Sequence, residues 1–470
     1  MFEFGDDKPK EECGVFGIYA PDQEVARLTY YALYALQHRG QESAGIAVSD
    51  GRSISVHKGM GLVSEVFSDS VVDHLKGKMA IGHVRYSTTG SSLLANAQPL
   101  VVHYQKGMMA LAHNGNLTNA AELREELGKN GAVFQTTIDS EVIINLITRY
   151  SRDSLEDALV KTMMDLRGAY ALVILAEDKI FGIRDPHGVR PLCIGRIGDR
   201  YCLASESCAL DTIGAEFIRD VEPGEIVVID EDGLHSRQGL TKTNRSSCAF
   251  EYIYFARPDS TIDKLNVSAS RRQMGIELAR ECPIEADLVI AVPDSGTASA
   301  LGYATALGIP FGEGLIKNRY VGRTFIQPTQ ALREVGVRLK LNANTSVLKD
   351  KRVVMIDDSI VRGTTSSKLV EMVKKAGAKE VHFLISSPPV AYPCYYGIDT
   401  AEREKLIANQ LDIEGIRKFV GADSLHYISE EALLRALGTD AVCLACFNGN
   451  YPIPVSNLNW GKNDFEIQKC

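Results

Sequence analysis

The chain has 470 residues, 45% of them hydrophobic and 24% charged, which excludes a disordered, collagenous or coiled-coil protein and leaves room for roughly two to four domains. A formal net charge of −9 argues against a non-specific nucleic-acid binder, without excluding a small basic site for a phosphorylated ligand. The longest apolar run, Ala169–Ala176, is far short of the about 20 residues of a membrane span, and residues 1–12 lack the apolar core of a secretory signal, so no membrane contact and a cytoplasmic, reducing location are expected.

In chain order, Gly14–Tyr19 reads as a buried strand and Val25–Gln37 as a helix. Residues 43–113 alternate short apolar runs with Gly and Ser turns, as in Ile46–Val48, Met79–Val84 and Leu100–Tyr104. Helical patterns follow at 119–129 and 139–150, then more strands over 169–230, with a turn at Asp232-Gly233. This predicts an α+β first half with mostly antiparallel strands. The polar stretch Gly239–Ser247 is a candidate linker. Beyond it, strand–loop–helix units predict a mostly parallel sheet wrapped by helices. They are Asp287–Val292 with Thr297–Leu307, Arg352–Ile356 with Thr364–Ala376 and its Gly377 stop, and Val381–Ile385. Residues 401–438 read as a polar helical cover.

Cys13 follows the acidic leader and starts a strand. Taken alone, it is an ordinary buried thiol. Four later segments carry charged or amide residues where strands should end: QHRGQESAGI (37–46), GHVRYSTTG (82–90), HNGNL (113–117) and TTIDSE (136–141). Together with Cys13 they resemble the glutaminase domain of the N-terminal-nucleophile (Ntn) amidotransferases. That resemblance implies removal of residues 1–12 as a propeptide, leaving Cys13 as nucleophile and its α-amine as base. A free α-amine, with a pKa of about 7.7–8.0, suits that task; an amide nitrogen does not. It further implies an oxyanion hole at Asn114 and Gly115. Arg85 would bind the α-carboxylate of glutamine and Asp139 its α-ammonium. Arg39 would belong to a loop that closes over the glutamine.

RVVMIDDSIVRGTTSS (352–367) runs from an apolar strand through Asp357-Asp358 and Arg362-Gly363 into a helix opening with Thr364, Thr365 and Ser366. Helix N-termini at the carboxyl ends of parallel strands bind phosphates. The paired carboxylates suit ribose hydroxyls or a Mg²⁺ ion. No GK[ST] follows, so this is not a P-loop. The segment resembles the phosphoribosylpyrophosphate (PRPP) signature of type I phosphoribosyltransferases. By the same resemblance, Asp294, Ser295, Gly296 and Thr297 would face the pyrophosphate, with Ser295 joining Asp357 and Asp358 around Mg²⁺. Residues 317–342 hold Lys317, Arg319, Arg323, Arg333, Arg338 and Lys340 against the single acid Glu334. They read either as a solvated face or as a loop that folds over PRPP.

The ten cysteines are too few for a disulfide scaffold. By itself Cys443-Leu-Ala-Cys446 is a zinc half-site, a redox pair or chance. A redox pair usually opens a helix, and Phe-Asn-Gly-Asn follows here instead. Both halves together resemble the glutamine PRPP amidotransferases. Members of one subfamily carry a propeptide and a [4Fe–4S] cluster, whose ligands would here be Cys248, Cys394, Cys443 and Cys446. The implied organisation is an Ntn glutaminase sandwich over 13–243, followed by an α/β phosphoribosyltransferase domain with an iron–sulfur segment over 244–470. The resemblance also implies a homotetramer and inhibition by purine nucleotides. The competing readings are a PRPP- or purine-sensing regulator and an Ntn amidotransferase with another acceptor. The first leaves the glutaminase residues unexplained. The DDSIVRGTT segment speaks against the second.

Overall fold

The computed structural model describes residues 13–86, 90–152, 154–176, 178–241, 244–318, 341–400 and 402–455. The leader 1–12, most of the basic segment (319–340), residues 242–243 at the expected domain boundary and Cys470 lie outside them.

Among the described residues, thirteen strands build the first half. They are β1 (Gly14–Tyr19), β2 (Ser43–Ser49), β3 (Ile54–Met60), β4 (Met79–Arg85), β5 (Leu100–Tyr104), β6 (Gly107–Leu117) and β7 (Gly168–Ala176). Then come β8 (Lys179–Arg184), β9 (Cys193–Ile197), β10 (Arg200–Ala204), β11 (Glu216–Asp220), β12 (Glu225–Asp230) and β13 (Gly233–Gln238). One sheet has the order β11-β9-β10-β1-β4-β2-β3 and the other β13-β12-β8-β7-β6-β5. All their pairings are antiparallel.

The sheets stack face to face, and helices cover both outer faces. Alternation along β1 sends Val15 and Tyr19 between the sheets and Phe16 and Ile18 toward helix α1 (Val25–Ala35). On β7, Ala171, Val173 and Leu175 face the other sheet, while Leu172 and Ile174 meet helix α2 (Ser140–Tyr150) and its neighbour α3 (Leu155–Asp165). Burial on both faces is why Ala169–Ala176 is a continuous apolar run. Several helices were not legible in the sequence, among them α3, Val63–Val66, Asp69–His74 and Ser207–Thr212, the last three within stretches read as strands.

The second half carries a parallel sheet in the order β14 (Leu288–Ala291), β15 (Arg352–Asp357), β16 (Glu380–Ile385), β17 (Ser424–Tyr427). Helices α4 (Val267–Glu281) and α5 (Thr297–Leu307) cover one face. Helix α6 (Thr364–Lys375) packs Leu369, Val370 and Val373 onto the other, and Gly377 follows at φ +96°. One expectation fails here. The 401–438 stretch is not all helical cover, because Ser424–Tyr427 adds the fourth strand of the sheet.

The halves meet through buried arginines. Arg184 holds Asp263 through two bonds of 2.8 and 2.9 Å. Arg39 holds Glu251, the first residue of a π-helical turn, Glu251–Phe255. Arg190 donates to the Tyr396 carbonyl. The candidate linker is partly tied down: Ser246 N–H donates to the His187 carbonyl and Ser247 N–H to that of Ala441.

Candidate active sites

Cys13 lies at the start of β1, buried, with its Sγ 3.4 Å from the Tyr86 carbonyl. Burial pushes the thiol up to about 11, against the pull of the Tyr86 contact and of Arg85; Glu42 and Asp139 push it further up. So the motifs around Cys13, Arg85 and Asp139 do converge, although 126 residues separate Cys13 from Asp139. Arg85 is buried at the end of β4, and its guanidinium donates to the Gly90 and Ser91 carbonyls at 3.3 Å. Asp139 accepts the Leu117 N–H at 3.0 Å and stands 3.7 Å from His113 Nδ1.

Asn114 is 1% exposed, and its Nδ2 has no hydrogen-bond partner. A buried amide without a partner costs about 1–3 kcal/mol, so such a group is a candidate for function. Next to it, Gly115 has φ +146°, and a Cβ there would stand 2.0 Å from the Ala169 carbonyl oxygen. No other residue fits.

Four neighbours of the named residues, His83, Gln98, His113 and Ser140, support this corner, and the sequence reading gave them no role. His83 Nε2 meets the His113 carbonyl oxygen at 2.9 Å. His113 Nδ1 meets Ser140 Oγ at 3.1 Å, and Gln98 bridges Ser140 Oγ to the His113 N–H. Burial drives both imidazoles toward the neutral form, His83 down to about 3. His83, His113 and Ser140 stand inside the quoted motifs, so their position was the available signal.

Arg39 is placed differently from the expectation. It is 1% exposed, in the turn after α1. Its Nε donates to the Cys13 carbonyl at 3.1 Å, and its other nitrogens bind Glu206 at 2.5 Å and Glu251 at 2.6 and 2.9 Å. In this arrangement it anchors the strand that carries Cys13.

In the second half, Asp357 ends β15 and Asp358 follows it, both buried. Asp357 accepts the Asp358 N–H at 2.9 Å, and Asp358 accepts Ser359 Oγ at 2.6 Å. Gly363 caps α6, with Arg362, Thr364 and Thr365 half-buried and Ser366 buried. Asp294, Ser295, Gly296 and Thr297 lead into α5 alongside the same sheet end, where the Val292 N–H donates to the Ile356 carbonyl at 2.8 Å. A pocket of about 470 Å³ opens here, lined by Asp294, Glu313, Lys317 and Asn342. Lys317 pairs with Asp294 at 2.5 Å. Among the described residues, no three His, Cys, Asp or Glu side chains gather tightly enough for a single metal ion. A Mg²⁺ ion needs only one or two carboxylates beside substrate phosphates and water, which the aspartate pair can offer.

Cys248, Cys394, Cys443 and Cys446 converge on one place beside the joint of the halves. Cys248 and Cys443 are partners in a short parallel bridge. The Cys446 carbonyl accepts the N–H groups of Ala391 and Tyr392, close to Cys394. The Cys446 thiol lies within electrostatic reach of the other three, and Cys443 within that of Cys394; burial pushes Cys443 up to about 12. One argument from sequence is corrected here: Ala445–Asn448 is a short helix following the Val442–Cys443 strand, so the lack of a helix no longer counts against a redox pair.

Two domain families match the chain: a glutamine amidotransferase domain over residues 83–212 and a phosphoribosyl transferase domain over 269–392. An amidophosphoribosyltransferase of Bacillus subtilis is 52% identical over 452 residues, 95% of each chain. One from Archaeoglobus fulgidus is 53% identical over 450 residues, 94% of this chain and 98% of its own. The chain belongs to the amidophosphoribosyltransferase family. The solved structure of the B. subtilis glutamine PRPP amidotransferase, complexed with ADP and GMP, superposes with a TM-score of 0.90 at 51% identity, covering 94% of this chain and 98% of that one. Like its relatives, this amidophosphoribosyltransferase joins a glutamine amidotransferase half to a phosphoribosyltransferase half. Neither a regulator nor an amidotransferase with another acceptor is favoured. Among the described residues, no helix is long and apolar enough to cross a membrane.

Proposed function

We propose that the chain hydrolyses glutamine at Cys13 and passes the ammonia to C1 of PRPP. The products are 5-phosphoribosylamine, glutamate and pyrophosphate, at the entry to purine biosynthesis. The observation that carries the first step is the buried thiol of Cys13 in a half whose Asn114 amide waits without a partner.

In this reading a propeptide, residues 1–12, is removed and the halves divide near residue 243. With its pKa pushed up to about 11, the Cys13 thiol needs a base, and the freed α-amine supplies one. Sγ attacks the side-chain amide carbon as its proton passes to that amine. The oxyanion is held by Asn114 Nδ2 and the Gly115 N–H. The proton then goes to the leaving nitrogen, ammonia departs, and water releases glutamate from the thioester. Arg85 and Asp139 hold the α-carboxylate and α-ammonium of the substrate.

At the second site the N-terminal turn of α6, with Thr364, Thr365 and Ser366 beside Arg362 and Gly363, takes the 5′-phosphate. Asp357 and Asp358 take the ribose hydroxyls, and the Asp294–Thr297 loop faces the pyrophosphate. Mg²⁺ would be held by the aspartates with Ser295, and would supply charge neutralisation for the departing pyrophosphate. Purine nucleotides carry the same 5′-phosphate and inhibit by competing for this site. A homotetrameric, cytoplasmic enzyme completes the reading.

The four cysteines fit a [4Fe–4S] cluster. The donor set is all thiol, with Cys248 and Cys446 buried and Cys394 and Cys443 partly buried. The cluster would tie residue 248 to the C-terminal segment, and its iron charge would offset the cost of four thiolates.

The test is pyrophosphate release from PRPP, with and without glutamine. Cys13→Ala should abolish glutamine-dependent release and spare release driven by free ammonia. Loss of both in a folded variant would refute two separate sites. Mass spectrometry should find residues 1–12 missing; a fully active protein with the leader intact would exclude the α-amine as base.

A further inference from the structure

Three consecutive residues of the second half rest on the first: Tyr395 and Gly397 on the end of β6, beside Asn114 and Gly115, and Tyr396 on Arg190. The Tyr395 carbonyl accepts Asn116 Nδ2 at 3.0 Å. The Tyr396 carbonyl accepts Arg190 Nε at 2.9 Å and Nη2 at 2.5 Å. Gly397, at φ +112°, lies on Gly115 itself: a Cβ at 397 would stand 3.0 Å from the Gly115 carbonyl carbon and 3.2 Å from its Cα. Gly115 is therefore enclosed, with the Ala169 backbone on one side and Gly397 on the other.

The segment is fixed from its own side too. Tyr396 Oη donates to the Ile453 carbonyl at 2.7 Å and accepts the Ile453 N–H at 3.0 Å. The Cys394 N–H donates to Thr400 Oγ1 at 2.8 Å. Nothing in glutamine hydrolysis requires the phosphoribosyltransferase half to touch this strand, yet its backbone packs against a glycine whose peptide must point correctly.

We propose that Tyr395–Gly397 is a positioning element for the oxyanion donors, with Asn116 and Arg190 as its anchors in the first half. This rests on the reading of Asn114 and Gly115 as those donors. Oxyanion stabilisation depends on donor placement to a fraction of an ångström, and a misplacement of about 1 Å costs on the order of 100-fold in rate. Gly115 cannot hold its own peptide firmly, because glycine is the most permissive residue. The packing of Gly397 and the Asn116 bond supply that rigidity from outside. The first half is thus incomplete as a glutaminase without residues 395–397.

The experiment uses the full chain with Asn116→Ala, Asn116→Asp and Gly397→Ala, and Asn114→Ala in parallel. Three rates are measured: glutamine hydrolysis, alkylation of Cys13 by iodoacetamide, and ammonia-dependent pyrophosphate release. Alkylation uses the thiol and not the oxyanion donors. For the Asn116 variants, glutaminase kcat should fall at least about tenfold, with KM, alkylation and ammonia-dependent release within about twofold. Asn116→Asp keeps the shape and loses the donor, so it should behave like alanine. If Asn114→Ala lowers kcat and neither Asn116 nor Gly397 variants do, the positioning role is overturned and the oxyanion reading stands. If Asn114→Ala leaves kcat intact, the oxyanion reading itself fails. A parallel fall of all three rates would mark Asn116 as structural support only and overturn the proposal.

Discussion

Arg39 and Glu251 form a two-pronged ion pair across the joint of the halves, with N–O distances of 2.6 and 2.9 Å and both side chains shut off from solvent. Arg39 also holds Glu206, so Glu251→Gln leaves the guanidinium with one charged partner in place of two, and breaking such a buried network costs on the order of 3 kcal/mol. Glu251→Gln should therefore lower the thermal midpoint by several degrees in calorimetry. Arg39→Lys should do the same, because an ammonium cannot reproduce the fork. In the folded fraction the KM for glutamine should stay within about twofold. A large rise in KM with an unchanged midpoint would return Arg39 to the substrate site.

Asn114→Ala should lower the kcat for glutamine hydrolysis by about 10²–10³ and leave KM nearly unchanged, since the donor acts in the transition state. Steady-state glutaminase assays decide it. A KM effect alone would make Asn114 a substrate-binding residue.

Asp220 provides a pH signature. Burial and the nearby Asp263 charge raise its pKa to about 6 from 3.8, against the pull of Arg184. A raised carboxyl favours the folded state when protonated. Its contribution is complete below about pH 3.8 and is lost as pH rises through about 6. Asp220→Asn should therefore raise the thermal midpoint at pH 7.5, by a stabilisation on the order of 2 kcal/mol, and have little effect at pH 4. An equal effect at both pH values would assign the change to packing.

Asp357→Asn and Asp358→Asn should each suppress pyrophosphate release from PRPP by at least about tenfold while basal glutaminase survives, because each removes a charge from the proposed ribose and Mg²⁺ site. Unchanged PRPP kinetics in both would refute that site.

Purified under anaerobic conditions, the protein should be brown and contain four iron and four sulfide per chain on the [4Fe–4S] reading. Cys443→Ser should remove the absorbance and lower the thermal midpoint, since three thiols and a hydroxyl would then face one another with no metal to hold them together. A colourless, zinc-containing protein would replace the cluster by the simpler ion.

The fold was legible wherever periodicity and punctuation agreed. Gly14–Tyr19 and Thr297–Leu307 were located to the residue, and Gly377 marks the helix stop. Ser424–Tyr427 was missed because a four-residue, half-buried edge strand containing histidine carries little pattern. At the site, local motifs named Cys13, Asn114, Arg85 and Asp139. The role of Arg39 was hidden because its partners Glu206 and Glu251 lie 167 and 212 residues away. A long-range ion pair leaves no local trace in sequence. His83, His113 and Ser140 were quoted within motifs but took on meaning only once folding joined them.

The three arginines at the joint also bear on whether the chain could be divided. Arg39, Arg184 and Arg190 all belong to the first half, and each finds an acceptor in the second. A gene cut at the linker would yield an amino-terminal fragment whose three arginines have lost their acceptors across the joint, and a carboxy-terminal fragment with Glu251 and Asp263 uncovered. Each piece would have the right topology and the wrong surface. The peptide link between the halves is replaceable in principle; the contact it brings about is not, and two separately made pieces would need to find each other before either behaved as a folded domain.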